Sequence, residues 1–105
     1  MEIEIEYLRT LCNDDNLFLT QHALKRMLER NISYENVKNI ILNGEIIEQY
    51  PDDYPNPSCL IFGIVDNVRN LHIVIGVCDD KLWVITAYEP TTDKWNDDFK
   101  TRRNL

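Results

Sequence analysis

The sequence predicts an α+β domain in which N-terminal helices pack on a three- to four-stranded antiparallel sheet, followed by a short C-terminal helix. Apolar residues recur at helical spacing before Gly44 and form continuous β-type runs after it. Three such runs, CLIFGIV, LHIVIGV and LWVITAY, are separated by short Asp and Asn turn sequences. A chain of 105 residues is about the size of one core, so residues 1–105 are expected to form a single domain.

The helices are predicted from apolar spacing and from capping residues. A first helix is expected over residues 2–13, where apolar side chains lie three and four positions apart. Thr20 and Ser33 are typical N-caps, whose hydroxyls accept a hydrogen bond from the first turn of the second and third helices. Gly44 follows the third helix and is expected in the left-handed conformation that commonly ends a helix.

The second predicted helix combines an apolar face with a basic stripe. The face expected to be buried consists of Ala23, Leu24, Met27 and Leu28. On a helical wheel, His22, Arg26 and Arg30 form a continuous stripe along one border of that face. Such a border suits an imidazole that exchanges protons and guanidinium groups that bind an anion. The same spacing is also typical of a solvated face whose basic residues pair with Glu29 and other acids, so both interpretations stay open.

The second half of the chain is predicted to be an antiparallel meander. The strand EIIEQY leads into PDDYPNPS, whose three prolines predict an exposed excursion. A two-residue hairpin loop at Asp79-Asp80 would pair Tyr88 with Leu71 and place His72 on the opposite face. His72 is flanked by apolar residues and is expected to be a buried structural histidine.

A short helix is predicted after Pro90, with Trp95 and Phe99 four positions apart so that both dock on the sheet. Thr92 or Asp93 would cap it. The tail KTRRNL then adds a second basic cluster to the one on the second helix.

The overall charge limits the functions that the chain can have. A net charge of −7 argues against a broad nucleic-acid-binding surface, but a local basic site is compatible with it because salt screens charges beyond about 10 Å. The acidic N-terminus and the short apolar runs favour a cytoplasmic protein without a membrane span. Three widely spaced cysteines and two histidines fifty positions apart predict neither a metal site nor a cofactor.

Four segments resemble, in order, a prokaryotic domain family of unknown function: FLTQHALKRMLERNIS, NVKNIILNGEIIEQYPDDYPNPSCLIFG, LHIVIGV and VITAYEPTTDKW. The resemblance covers about residues 18–103. This family is similar to the RelE-like toxins, within the wider fold of the barnase-type ribonucleases. The resemblance implies RNA as substrate, free or on the ribosome, and an antitoxin as protein partner, for example one of the zinc-binding helix-turn-helix type.

The resemblance also implies a set of site residues, and His72 is among the positions that match the family. Those with a catalytic role would be His22, Arg26 and Tyr88, and those that bind substrate would be Arg30, Thr86, Lys94 and Arg102. Metal-free RNA cleavage needs a base near the ribose 2′-OH, an acid at the departing oxygen and cations around the phosphate. His22 would be the acid or base, because histidine titrates near neutral pH. Arg26 and Arg30 would hold the phosphate, and Tyr88 would orient it or share the proton transfer.

We therefore expect a small metal-independent endoribonuclease of the type II toxin kind, in which the 2′-OH attacks the adjacent phosphate. A second hypothesis is a non-catalytic RelE-like binding module whose basic stripe docks an acidic protein partner. A third is that the stripe is structural only, in which case Arg26→Ala would lower stability by about 1 kcal/mol or more.

Overall fold

The computed structural model describes residues 2–104, and within them the α+β class is confirmed. These residues form three helices and one five-stranded sheet. The elements are α1 Ile5–Leu11, β1 Leu17–Leu19, α2 Gln21–Arg30, α3 Tyr34–Asn43, β2 Glu45–Tyr50, β3 Ser58–Val65, β4 Arg69–Cys78 and β5 Lys81–Tyr88. None of the helices in this range is long and apolar enough to cross a membrane.

The sheet has one strand more than the sequence predicts. Its order is β1-β5-β4-β3-β2, and β2 to β5 form the expected antiparallel meander. The additional strand, β1, pairs in parallel with the first half of β5 and ends opposite Val84. Three residues are too few to give a recognisable strand pattern. Because β1 ends there, the C-terminal half of β5 lies beyond its last pair.

Both predicted N-caps are confirmed. The Thr20 hydroxyl accepts from the backbone N–H of Ala23, and the Ser33 hydroxyl takes part in a capping box with Asn36. The first helix is shorter than predicted and covers Ile5–Leu11 rather than 2–13.

The predicted left-handed conformation of Gly44 is wrong, because its φ is −89°. Glycine is needed there for a different reason. A Cβ at Gly44 would lie 2.4 Å from the carbonyl oxygen of Phe62 and 2.6 Å from that of Ile40. The missing side chain therefore lets the end of α3 approach β3 closely.

The predicted buried face of α2 is only half correct. Ala23 and Met27 are buried, whereas Leu24 is 47% exposed and Leu28 is 75% exposed. The helix packs on β5. This contact covers only part of the apolar face of the helix, so the rest of that face is open to solvent.

A β-bulge changes the register that a simple hairpin predicts. Pairing from the β4–β5 turn is regular as far as Val84, and Ile85 is then left without a partner. The register shifts by one residue, so Tyr88 pairs with His72 and not with Leu71. The prediction that His72 and Tyr88 occupy opposite faces is therefore wrong.

The predicted C-terminal helix is also wrong. Residues 91–104 form turns and a single bridge between Trp95 and Arg102. The Asp98 carboxylate accepts hydrogen bonds from the backbone of Lys100 and Thr101, and such side-chain bonds compete with a helix. The segment nevertheless covers the sheet face opposite the helices, because Trp95 is only 2% exposed and packs on the ring of His72.

Candidate functional site

A pocket of about 450 Å³ lies where the C-terminal end of α2, the end of β5 and the C-terminal segment meet. Its lining includes Arg30, Tyr88, Glu89, Lys94, Trp95 and Arg102. Four of the seven predicted site residues are thus brought together, and we call this site the Tyr88 pocket. Within residues 2–104 no group of three or more His, Cys, Asp or Glu side chains is arranged to hold a metal ion.

The pocket is locally cationic in an acidic protein. The Arg30 guanidinium donates to the carbonyl oxygen of Ala87 over 2.8 Å, which holds its charge beside the end of β5. Within the described part of the chain, neither Arg30 nor Lys94 forms an ion pair. The acid in the lining, Glu89, is already paired with Arg69 at 2.5 Å. The positive charge of the pocket is therefore available to an anion.

Arg102 is the third cation of the Tyr88 pocket, and its position is fixed. It makes two hydrogen bonds to the carboxylate of Glu48, at 2.8 and 3.1 Å. Its guanidinium lies over the ring of Trp95, 4.6 Å from the centroid. Burial alone raises the pKa of Glu48, but hydrogen bonds from Arg102 and Tyr50 outweigh burial, and the net pKa is lowered. Glu48 thus stays ionised and holds the C-terminal segment on the sheet.

We expect Glu48→Gln to lower the free energy of unfolding by about 1 kcal/mol, because it removes the charge that holds Arg102. Urea denaturation at neutral pH measures this. The matched control is Glu45→Gln, which breaks the more exposed pair with Lys100 and should cost less than about 0.5 kcal/mol. Equal stability of the two variants would contradict a structural role for the Glu48–Arg102 pair.

Tyr88 is hydrogen-bonded to a completely buried imidazole. Nε2 of His72 lies 2.7 Å from the carbonyl oxygen of Phe99 and Nδ1 lies 3.3 Å from the Tyr88 hydroxyl. A carbonyl only accepts, so Nε2 carries the proton. Nδ1 of the neutral ring is then an acceptor, and the Tyr88 hydroxyl donates to it.

The electrostatic environment favours the neutral forms of both partners. Burial lowers the pKa of His72, partly opposed by its hydrogen bond to Phe99 and by the charge of Glu48. Burial raises the pKa of Tyr88, partly opposed by the charge of Arg102. A neutral imidazole next to a protonated phenol is a pair that can pass a proton in one direction, from Tyr88 to Nδ1 of His72.

The other three predicted site residues do not line the Tyr88 pocket. His22 is exposed and lies eight residues before Arg30, about 12 Å along the axis of α2. Arg26 forms an ion pair with Glu29 at 3.0 Å, the contact that the solvated-face interpretation predicts. Thr86 pairs with Val74 within the sheet.

One residue of the site, Glu48, is missed as a functional candidate in the sequence. Glu48 contacts Arg102 across 54 positions, which no local pattern shows. A glutamate inside the apolar strand EIIEQY was nevertheless a signal, because a partly buried carboxylate needs a partner. His72 is among the positions that match the family, but its apolar neighbours and the register without a bulge favour a structural role away from Tyr88.

A family model described as "Domain of unknown function (DUF4258)" matches residues 19–89. The match runs from the last residue of β1 to the residue after β5, so it includes Arg30 and Tyr88 but neither Lys94 nor Arg102. No curated protein and no solved structure matches the chain.

Proposed function

The chain belongs to the DUF4258 family, and from the geometry of its Tyr88 pocket we propose that it is a small metal-independent endoribonuclease of the type II toxin kind. The observation that carries the proposal is one pocket that joins three cationic side chains to a phenol bonded to a neutral imidazole. Cations stabilise the charge that develops on a phosphate under attack, and the phenol–imidazole pair can accept the proton of the attacking hydroxyl.

The reaction would begin with proton transfer through Tyr88. The ribose 2′-OH gives its proton to the phenol oxygen of Tyr88 while the phenol proton moves to Nδ1 of His72. The 2′ oxygen forms a bond to the phosphorus, and the bond between phosphorus and the 5′ oxygen breaks. The products are a 2′,3′-cyclic phosphate and a 5′-hydroxyl.

The cations of the pocket would have different roles. Arg30 and Arg102 would bind the non-bridging phosphate oxygens through charge-assisted hydrogen bonds. Guanidinium groups do not release a proton in proteins, so the proton for the departing 5′ oxygen would come from the ammonium of Lys94. His22 and Arg26 continue the basic stripe along α2, and we assign them to the neighbouring phosphates of the same RNA strand.

A non-catalytic binding module is the second candidate, because the same unpaired charges of Arg30 and Lys94 would also attract an acidic protein. Such a module would bind more weakly as salt is added and would give no RNA product at any protein concentration. An antitoxin that masks the Tyr88 pocket is the partner that the first proposal requires.

Incubation of the purified protein with labelled RNA in the presence of EDTA tests the proposal. New ends that carry a cyclic phosphate and a 5′-hydroxyl would support it. If induced expression in a bacterium gives neither growth arrest nor new RNA ends, and the purified protein gives no product, the endoribonuclease proposal is wrong.

His22→Ala distinguishes the two histidines. Because we place His22 at a neighbouring phosphate, to which its imidazole would donate a hydrogen bond, we expect the variant to cleave RNA about ten-fold more slowly at low substrate. Its rate at saturating substrate should be close to that of the wild type. Complete loss of cleavage in a folded His22→Ala protein would instead make His22 the acid or base that the sequence predicted.

A further inference from the structure

A second pocket, of about 360 Å³, lies between the proline-rich loop 51–57 and strands β4 and β5. Its lining includes Asp53, Tyr54, Pro55, Gly76, Trp83 and Ile85. Gly76 lets the side chain of Ile85 pack closely over β4, because a Cβ there would lie 3.2 Å from Cδ1 of Ile85. We call this site the Trp83 pocket.

The Trp83 and Tyr88 pockets share one face of the sheet. Trp83 pairs with Gly76, and Tyr88 pairs with His72. Gly76 and His72 are four residues apart on β4, so they point to the same side. The four-residue step along β4 from His72 to Gly76 spans roughly 14 Å, which a few nucleotides of an extended single strand can bridge.

The walls of the Trp83 pocket are aromatic and partly accessible. The indole of Trp83 stacks on Phe18 with a centroid distance of 4.9 Å and an interplanar angle of 26°. It is still 37% exposed, and the neighbouring Tyr54 is 92% exposed. Phe18 thus holds the indole in place while Tyr54 is able to move toward a ligand. Flat aromatic surfaces of this kind bind planar heterocycles by stacking.

The lining of the Trp83 pocket includes one carboxylate, that of Asp53. Oδ2 of Asp53 accepts a hydrogen bond of 2.6 Å from the hydroxyl of Ser58, which is completely buried. The bond anchors the carboxylate next to the pocket, and the other oxygen, Oδ1, has no partner among the described residues. A negatively charged acceptor beside an aromatic wall complements a planar ligand that carries N–H donors.

We propose that the Trp83 pocket binds a nucleobase with an exocyclic amino group, from the same RNA strand whose phosphodiester enters the Tyr88 pocket. This inference rests on the proposed function. Adenine, cytosine and guanine each offer an exocyclic amino donor to Asp53, whereas the single N3–H donor of uracil is flanked by two carbonyl oxygens that the carboxylate repels. The pocket would therefore give the enzyme a base preference a few nucleotides away from the cleaved bond.

The two tryptophans of the chain provide separate reporters for the two pockets. In ¹H–¹⁵N spectra, adenosine and cytidine, which carry no phosphate, should shift the indole N–H of Trp83 and leave that of Trp95 in place. Uridine should bind about ten-fold more weakly, the effect of one hydrogen bond to a charged group. Inorganic phosphate should shift Trp95, which lies under Arg102, and leave Trp83 unchanged.

Variants make the test specific. Asp53→Asn should bring the affinities for cytidine and uridine to within about two-fold of each other, because an amide both donates and accepts. Trp83→Ala removes the reporter itself, so binding to this variant is measured by isothermal titration calorimetry, and nucleoside binding should be abolished. The control is Val68→Ala, which truncates an exposed apolar residue at the opposite end of the sheet and should bind as the wild type does.

The outcomes separate this inference from the proposed function. If the wild type cleaves RNA but no nucleoside shifts Trp83, and Trp83→Ala leaves the cleavage sites unchanged, the base site is wrong and the endoribonuclease stands. If nucleosides bind at Trp83 but no RNA is cut, the base site stands and the proposed function is wrong. Equal binding of all three nucleosides would overturn the role of Asp53.

Discussion

Tyr88→Phe is expected to lower the rate of RNA cleavage by about 10²- to 10⁴-fold, the range that a positioned acid or base contributes. The variant keeps the ring that packs against His72 and removes only the hydroxyl oxygen that would accept the 2′-OH proton. Binding of RNA through Arg30, Lys94 and Arg102 should change little. The loss should therefore appear in the rate at saturating RNA and not in the RNA concentration that gives half of that rate.

Single-turnover cleavage of a defined RNA measures both quantities. The matched control is Tyr34→Phe at the start of α3, away from the pocket, which removes a hydroxyl that bonds to the exposed Asp14. Tyr34→Phe should unfold within about 1 kcal/mol of the wild type, whereas Tyr88→Phe should lose about 1 to 3 kcal/mol, because it leaves Nδ1 of buried His72 without its donor. A Tyr88→Phe protein that cleaves at the wild-type rate would rule out proton transfer through this phenol.

The same mechanism sets the direction of the pH dependence. Burial lowers the pKa of His72 below its ordinary value of 6.5, and only the neutral ring can accept a proton. Cleavage should therefore be lost as the pH falls below 6.5 and the imidazole becomes protonated. This acidic limb would be absent from the residual activity of Tyr88→Phe.

The sequence was sufficient for the elements that local patterns define. Thr20 and Ser33 cap their helices as predicted, because capping depends on contacts within one turn. Strands β2 to β5 follow their apolar runs and are bounded by turn residues, and these too are patterns that a short stretch of sequence shows. Arg30, Tyr88, Lys94 and Arg102 were named as site residues from a resemblance, and the fold places them around one pocket.

Features that depend on long-range packing could not be predicted. The bulge at Ile85 is one extra residue in a strand whose composition is β-like throughout, yet it decides which face Tyr88 occupies. The spacing of Trp95 and Phe99 predicts a helix, but Trp95 is held instead by burial against His72 and by the stacked Arg102. The contacts of His72 with Tyr88 and Trp95 depend on these two features, which no local pattern shows.

His72→Leu is expected to lower the free energy of unfolding by about 2 to 4 kcal/mol, because it leaves two polar groups without their partner. The carbonyl of Phe99 loses the N–H of Nε2, and the hydroxyl of Tyr88 loses Nδ1. The ring also fills the space between Phe62 and Trp95, which a leucine does not match in shape. Urea denaturation followed by tryptophan fluorescence measures the loss.

The control is His22→Leu, because His22 is exposed and the substitution should change stability by less than about 0.5 kcal/mol. His72→Gln should be intermediate, since its amide can still donate to the carbonyl of Phe99. If His72→Leu were as stable as the wild type, the imidazole would not be what holds the C-terminal segment on the sheet.

His72 should also make the stability of the protein depend on pH above the range in which carboxylates titrate. Because burial lowers its pKa in the folded state below 6.5, the unfolded chain binds the proton more readily. The contribution of neutral His72 to the free energy of unfolding is therefore complete above pH 6.5 and is lost as the pH falls toward the pKa of the folded state. Lowered pKa values of Asp14 and Glu48 affect stability only below their ordinary values of 3.8 and 4.5. As the pH is lowered from about 7.5 to about 5, the wild type should lose stability while His72→Gln stays nearly constant. If the two proteins gave parallel curves of unfolding free energy against pH, His72 would not be buried as a neutral ring.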